Sequence, residues 1–270
     1  MPGAVRLLVM GVLNVTPDSF SDGGRWLDPE AAIAHGLQLV AEGADVVDVG
    51  GESTRPGAEP VSVAEELRRV VPVVEALAPH VRVSVDTRNA PVAEAAIAAG
   101  ATLLNDVSAS LQEVAAAGGP GVGFVAMHML GDPRTMQRDP RYDDVVADVS
   151  AFLVERAGRA VTAGVEEVWI DPGIGFGKTL AHNLALLGHL DVLVATGFPV
   201  VVATSRKRIL GTLLSSADGA EEVPTDDRVA GSVATATWAM WQGAGMVRAH
   251  EVRATVLAAR VVAGDRWTAA

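Results

Sequence analysis

A closed (β/α)8 barrel in a single domain, residues 1–270, is the α/β architecture this sequence predicts, and three observations predict it. Eight short Val/Ile/Leu-rich runs follow one another at 7–15, 44–50, 81–86, 102–107, 122–128, 167–171, 199–205 and 245–250. They are near-continuously apolar, as strands buried on both faces of a parallel sheet are. Segments long enough for helices separate most of them, and Gly43, Gly100 and Gly164 stand just before the next run, where a left-handed C-cap ends a helix. Eight such units in a chain of this length favour a closed barrel over an open doubly wound sheet.

Taken in order, the first helix is predicted over 29–42. It opens after Asp28 with Pro29 at its first position and stops at Gly43. The second, 62–77, begins Ser62-Val63-Ala64-Glu65, a capping box, and Pro72 is expected to kink or break it. Helices follow over 90–99, 143–163, 179–193, 226–241 and 251–262, and 110–119 is the weakest helical stretch. No linker, low-complexity segment or second domain interrupts the pattern.

Composition narrows the function. Apolar residues make up 49% and the formal net charge is −12, which argues against a nucleic-acid surface built from clustered Lys and Arg. With no cysteine there is no disulfide, thiolate nucleophile or Cys-based metal site. The apolar run 7–15 is too short to span a bilayer and lacks a following cleavage signal, and Pro2 breaks the myristoylation pattern. These features predict a soluble, cytoplasmic protein without a membrane partner.

In a parallel barrel the site lies at the C-terminal strand ends. Here those ends carry Asn14, Asp48, Asp86, Asn105, Met127, Asp171, Ser205-Arg206-Lys207 and Arg248-Ala249-His250. A carboxylate at the end of a buried strand needs a partner or a ligand, and the recurrence of polar ends points them at one shared pocket. Asp86, Asn105 and Asp171 suit a heterocycle edge of mixed donors and acceptors, such as an aminopyrimidinone. Arg55, Lys207, Arg248 and His250 suit an anion, with Arg able to bind phosphate oxygens in bidentate fashion. Taken singly, Arg55 or Arg248 reads equally well as a surface ion-pair partner, and His250 as a packing histidine. Asn14 is either a turn cap or a hard-metal ligand, and one amide oxygen would need ligand oxygens to complete a Mg²⁺ site. The Gly/Ser/Pro-rich loops 16–26 and 51–60 read as solvated loops or as lids over the mouth. The Gly173-Ile174-Gly175-Phe176-Gly177-Lys178 stretch has neither dinucleotide nor P-loop spacing and reads as a turn.

Several blocks in order resemble the dihydropteroate synthase family, across Met10 to about Ala254. They are Asn14-Val15-Thr16-Pro17-Asp18-Ser19-Phe20-Ser21-Asp22-Gly23-Gly24, Gly51-Glu52-Ser53-Thr54-Arg55-Pro56-Gly57, Val83-Ser84-Val85-Asp86-Thr87, Asn105-Asp106-Val107-Ser108, Met127-His128-Met129, the Asp171-Pro172 turn through Lys178, Ser205-Arg206-Lys207 and Arg248-Ala249-His250. The resemblance implies a (β/α)8 barrel, usually a homodimer, acting on small-molecule substrates. It would condense 4-aminobenzoate with (7,8-dihydropterin-6-yl)methyl diphosphate, with Mg²⁺, to give 7,8-dihydropteroate and diphosphate. By similarity Asp86, Asn105, Asp171 and Lys207 hold the pterin, with Met127 packing near it and Phe176 in the same substrate-binding set. Asn14 helps to bind Mg²⁺, and Arg55, Arg248 and His250 contact the diphosphate. Phe20, Thr54, Pro56 and Ser205 shape the aminobenzoate pocket, and Asp22 orders the first loop. The catalytic set so implied is Asp86, Asp171, Lys207, Arg248 and His250. One departure is Ala109, with a short connection after it, where the family usually has glycine and a longer segment. Two other readings share the barrel: a pterin-barrel methyltransferase moving a methyl group from a folate to a corrinoid protein, and a binding-only paralogue.

Overall fold

The computed structural model describes residues 7–16, 28–53, 60–218 and 223–263. Its centre is an eight-stranded parallel sheet in the order β6-β5-β4-β3-β2-β1-β8-β7. The strands are β1 Leu8–Asn14, β2 Val46–Gly50, β3 Arg82–Asp86, β4 Leu103–Asp106, β5 Gly123–Met127, β6 Val168–Asp171, β7 Val201–Ala203 and β8 Met246–Ala249. A parallel bridge between Ile170 and Val200, with the Ile170 amide donating to the Pro199 carbonyl at 3.0 Å, joins the two ends of this order and closes the barrel. All eight apolar runs contain a strand, each trimmed by one to four residues where the flanking backbone turns away. No described helix is long and apolar enough to cross a membrane.

The helices lie outside: α1 Pro29–Ala41, α2 Val63–Leu77, α3 Ala90–Ala98, α4 Gln112–Ala117, α5 Val145–Ala163, α6 Leu180–Gly188, α7 Leu190–Val194, α8 Arg208–Asp218, α9 Val229–Trp241 and α10 Val252–Ala263. Asp28 caps α1 by accepting from the Glu30 amide at 3.3 Å. Ser62 caps α2 by accepting from the Glu65 amide, but Glu65 does not reach back to complete the box; it pairs with Arg68 and Arg69 instead. The expected break at Pro72 does not occur, and α2 runs through it. Burial of Val70, Val73, Val74 and Leu77 against the sheet outweighs one missing backbone bond. The predicted 179–193 helix is two helices, broken at His189, whose ψ of 38° leaves the helical region. The 110–119 stretch does form a helix, though only six residues long. Helix α8 has no counterpart in the sequence reading. Its Gly211 hides it from propensity, because a side chain there would meet the Arg228 guanidinium at 2.8 Å.

Two apolar layers form. Most core side chains fill the space between strands and helices. A smaller cluster of Met10, Val46, Leu103, Val125, Trp169, Val201 and Met246 plugs the barrel itself. Below the plug Arg82 and Glu167 form an ion pair at 2.7 Å, and Trp169 Nε1 donates to Glu167 Oε1 at 2.6 Å. Two residues further along β2, β4, β5, β6 and β8 the same interior face becomes Asp48, Asn105, Met127, Asp171 and Arg248, as the period of two requires. The plug is therefore the floor of the site.

Candidate active site

Asp86 ends β3 in register with Asn105 on β4, and Met127 ends β5 in register with Asp171 on β6. Arg248 reaches from β8 across β1 to both acids of the neighbouring strands. Its Nε donates to Asp48 Oδ2 at 2.6 Å and its Nη2 to Asp86 Oδ2 at 2.9 Å. Asn105 Nδ2 donates to the same Asp48 oxygen at 3.0 Å. Arg248 is thus a buried bridging cation rather than a surface ion-pair partner. Burial disfavours its charge, but Asp48 and Asp86 more than compensate and hold its pKa above the usual value. Burial pushes Asp86 up to about 7, against the pull of Arg248 and with a further push from Asp48.

Three buried oxygens on β2 and β3 find no hydrogen-bond partner: Asp48 Oδ1, Ser84 Oγ and Asp86 Oδ1. Each orphaned buried acceptor costs about 1–3 kcal/mol, more for a charged group. Three on adjacent strands at the mouth make a recognition surface for N–H donors.

Across the barrel, Asp171 Oδ1 accepts from the Gly173 amide at 2.7 Å. Burial raises the Asp171 pKa, opposed first by Lys207 and then by this amide. Lys207 Nζ donates to the Ile174 carbonyl at 2.6 Å and lies 4.6 Å from the centre of the Phe176 ring. Burial lowers Lys207 to about 8, with Asp171 resisting the change. The turn after β6 therefore shapes the lysine site, and Gly173, Gly175 and Gly177 all have positive φ. A side chain at Gly173 would come within 1.9 Å of the His128 carbonyl, so only glycine fits. Lys178 secures the turn from beneath: its Nζ donates to the carbonyls of Gly173 (3.1 Å) and Phe176 (3.0 Å) and lies 2.9 Å from His128 Nδ1. Burial brings Lys178 down to about 7, and burial with the nearby Lys178 charge brings His128 down to about 3.

The alternation of an extended strand, which would put Ser205 and Lys207 on one side, stops before them, because β7 ends at Ala203 and Arg206 takes φ 59°. A turn brings Lys207 to the Phe176 side and leaves Ser205 beside His250. Ser205 Oγ lies 2.9 Å from His250 Nδ1 and 2.9 Å from Glu251 Oε2, and it accepts from the His250 amide at 3.1 Å. Arg206 Nε pairs with Glu251.

Asn14, at the end of β1, faces Gly50, and a side chain at Gly50 would lie 3.8 Å from Asn14 Oδ1 and 3.5 Å from Asp86 Cβ. Among the described residues no group of three or more His, Cys, Asp or Glu could hold a metal. An amide oxygen at an acidic mouth fits Mg²⁺ only as one hard ligand beside substrate oxygens. Phe20, Asp22, Thr54, Arg55 and Pro56 lie outside the described residues, as does most of both candidate lids. At Ala109 φ is 48°, in the left-handed region that favours glycine. Asp106 holds the turn by accepting from the amides of Ser108, Ser110 and Leu111.

Sequence alone gives no specific role to Asp48, Glu251, Lys178 or His128. Asp48 is visible as a polar strand end, but its sharing of Arg248 with Asp86 depends on register across four strands, β8, β1, β2 and β3. Glu251 directly follows His250, and that adjacency is its one local signal.

The pterin binding enzyme family matches residues 10–250. The dihydropteroate synthase of Mycobacterium leprae is 51% identical over 261 residues, covering 94% of this chain and 92% of that protein. The Yersinia pestis dihydropteroate synthase, solved with a sulfonamide drug complex, superposes with a TM-score of 0.90 at 46% identity, covering 98% of this chain and 96% of that one. The Xanthomonas albilineans dihydropteroate synthase, solved in complex with 7,8-dihydropteroate, gives a TM-score of 0.82 at 45% identity, covering 99% and 95%. A barrel whose mouth gathers buried acids, an amide and two cations, matched over nearly its whole length by these proteins, belongs to the pterin binding enzyme family and, within it, to the dihydropteroate synthases.

Proposed function

We propose that the barrel mouth divides the dihydropteroate synthase reaction between a pterin half and an anion half. The chain is a transferase of folate biosynthesis that joins 4-aminobenzoate to (7,8-dihydropterin-6-yl)methyl diphosphate, giving 7,8-dihydropteroate and diphosphate. The observation that carries the division is the set of buried acceptors lacking partners, Asp48 Oδ1 and Asp86 Oδ1, beside Asn105 and opposite Asp171 and Lys207. The N–H edge of an aminopterin satisfies such acceptors, while Asn105 and Lys207 supply donors for its ring oxygen and nitrogens. Met127 packs against the ring, and the Phe176–Lys207 stack limits one side of the cavity.

In the anion half, Arg248 spends two of its five donors on Asp48 and Asp86 and directs others to the diphosphate, together with His250 and Arg55. Asn14 would hold Mg²⁺ as one hard oxygen ligand, and the ion would supply charge neutralisation at the leaving diphosphate. The methylene carbon–oxygen bond breaks, diphosphate takes the electron pair, and the aminobenzoate nitrogen bonds to the methylene carbon. That nitrogen then loses one proton to solvent or to diphosphate. The amine is uncharged near neutral pH, so the chain's own work is to hold the separating charges rather than to abstract a proton. Phe20, Thr54, Pro56 and Ser205 border the aminobenzoate, with Asp22 ordering the first loop.

The same reading treats residues 1–270 as one domain, sets the enzyme in the cytoplasm with its water-soluble substrates, and makes it a homodimer. Trp241 on α9 and Val261 on α10 are 74% and 84% exposed on helices that pack together, and Leu257 of α10 and Trp238 of α9 are partly exposed as well, Trp238 reaching toward α6, where its Nε1 donates to the Leu187 carbonyl. An apolar face of this kind suits a second copy. The catalytic reading is tested by following diphosphate release and dihydropteroate formation together. Both products, each dependent on both substrates and Mg²⁺, are expected. Folded protein that forms neither would favour the methyltransferase or the binding-only paralogue.

A further inference from the structure

Ser205 sits among three polar neighbours, and a hydroxyl has one hydrogen and two lone pairs to share. One neighbour, the His250 backbone amide at 3.1 Å, can only donate, so it takes one lone pair. Glu251 Oε2 at 2.9 Å belongs to a carboxylate ion-paired with Arg206 and can only accept, so it takes the single hydrogen. The remaining neighbour, His250 Nδ1 at 2.9 Å, then meets a lone pair and must itself carry a hydrogen. The accounting closes with every valence of Ser205 used.

From this closure we infer that Glu251 is a positioning residue which, through Ser205, locks His250 as its Nδ1–H tautomer and so fixes Nε2 as the atom the ring offers to the reaction. The network is built, not incidental. Arg206 holds a left-handed backbone, φ 59°, that a long side chain adopts only at a cost. Surrounding bonds keep it there: its amide donates to Ser232 Oγ at 3.0 Å and its carbonyl accepts from Arg228 Nη1 at 3.0 Å. Arg228 in turn donates to the Val223 carbonyl and occupies the space that Gly211 leaves open. The chain thus stabilises a strained residue whose side chain anchors Glu251. A ring whose Nδ1–H already points at Ser205 can become imidazolium only by adding a proton at Nε2. This use of Nε2 toward the diphosphate rests on the anion-half reading above; the tautomer itself does not.

The test is ¹⁵N NMR of the histidine rings in the full-length protein, recorded above the titration of His250, with its signal assigned by comparison with His250→Asn. The expected result is a protonated Nδ1 and an unprotonated Nε2. An Nε2–H ring in the wild type overturns the proposal, whatever His250 binds. In Glu251→Gln the amide can donate to Ser205 Oγ, which frees the hydroxyl hydrogen for Nδ1. The ring is then expected to move toward the Nε2–H form, with KM for the pterin diphosphate rising about tenfold. A folded Glu251→Gln protein whose ring stays Nδ1–H would overturn the role of Glu251. A locked Nδ1–H ring in a protein whose diphosphate affinity survives His250→Gln would overturn the anion-half reading alone.

Discussion

Burial sets the chemistry of individual residues at this barrel mouth. Asp86, Asp171, Lys207 and Lys178 are all displaced toward their neutral forms first by desolvation, and their mutual attraction only partly reverses it. Buried carboxylates and amines displaced in this way are sensitive to a charged ligand, as functional sites often are. His128 shows the stability side of the same physics. Its pKa is lowered from 6.5 to about 3, so between those values the unfolded chain binds more protons than the folded one. Stability therefore rises with pH across that window and is lost as pH falls from about 6.5 toward 3, by up to about 1.4 kcal/mol per pH unit. His128→Gln is expected to flatten this limb. Denaturant midpoints at pH 7 and pH 5 check it, and parallel losses in both proteins would contradict it.

Elements divide into those whose signals are local and those whose form depends on contacts. The eight strands were legible because burial on both faces writes a near-continuous apolar run, and helix ends at Gly43, Gly100 and Gly164 were legible because each glycine takes positive φ there. Helix α8 and the break at His189 were not legible. The first depends on an Arg228 side chain that arrives from 17 residues beyond Gly211, and the second on packing of Leu190 and Leu193, both fully buried. The site shows the same split. Asp86, Asn105, Asp171 and Arg248 announced themselves as strand ends, but their pairings follow from register between strands distant in sequence. The turn after β6 is the tightest element. Gly173→Ala would force a methyl group into the His128 carbonyl at positive φ. A loss of about 2–3 kcal/mol is expected, together with weaker pterin binding as Ile174 and Phe176 shift against Lys207. Unchanged Tm and KM would show that the turn has slack it does not have here.

For the whole molecule, the barrel separates stability from chemistry along its axis. Apolar residues plug the middle, the Arg82–Glu167–Trp169 group closes one end, and the polar residues gather at the other. Loops and strand ends can then carry strain and unpaired acceptors without weakening the sheet beneath them. The outer surface carries a separate prediction. If the proposed homodimer forms through the exposed α9/α10 surface, Trp241→Lys shifts it to monomer in light scattering while leaving the fold intact. A dimer unaffected by this change would move the interface elsewhere.

Whether the acids at the mouth hold the pterin is read by calorimetric binding of the pterin diphosphate to Asp171→Asn. Asparagine keeps an oxygen for the Gly173 amide, so the turn should survive and the melting temperature should stay close to that of the wild type. Affinity is expected to fall at least about tenfold, the equivalent of roughly 1.4 kcal/mol. Wild-type affinity in a folded Asp171→Asn protein would contradict it.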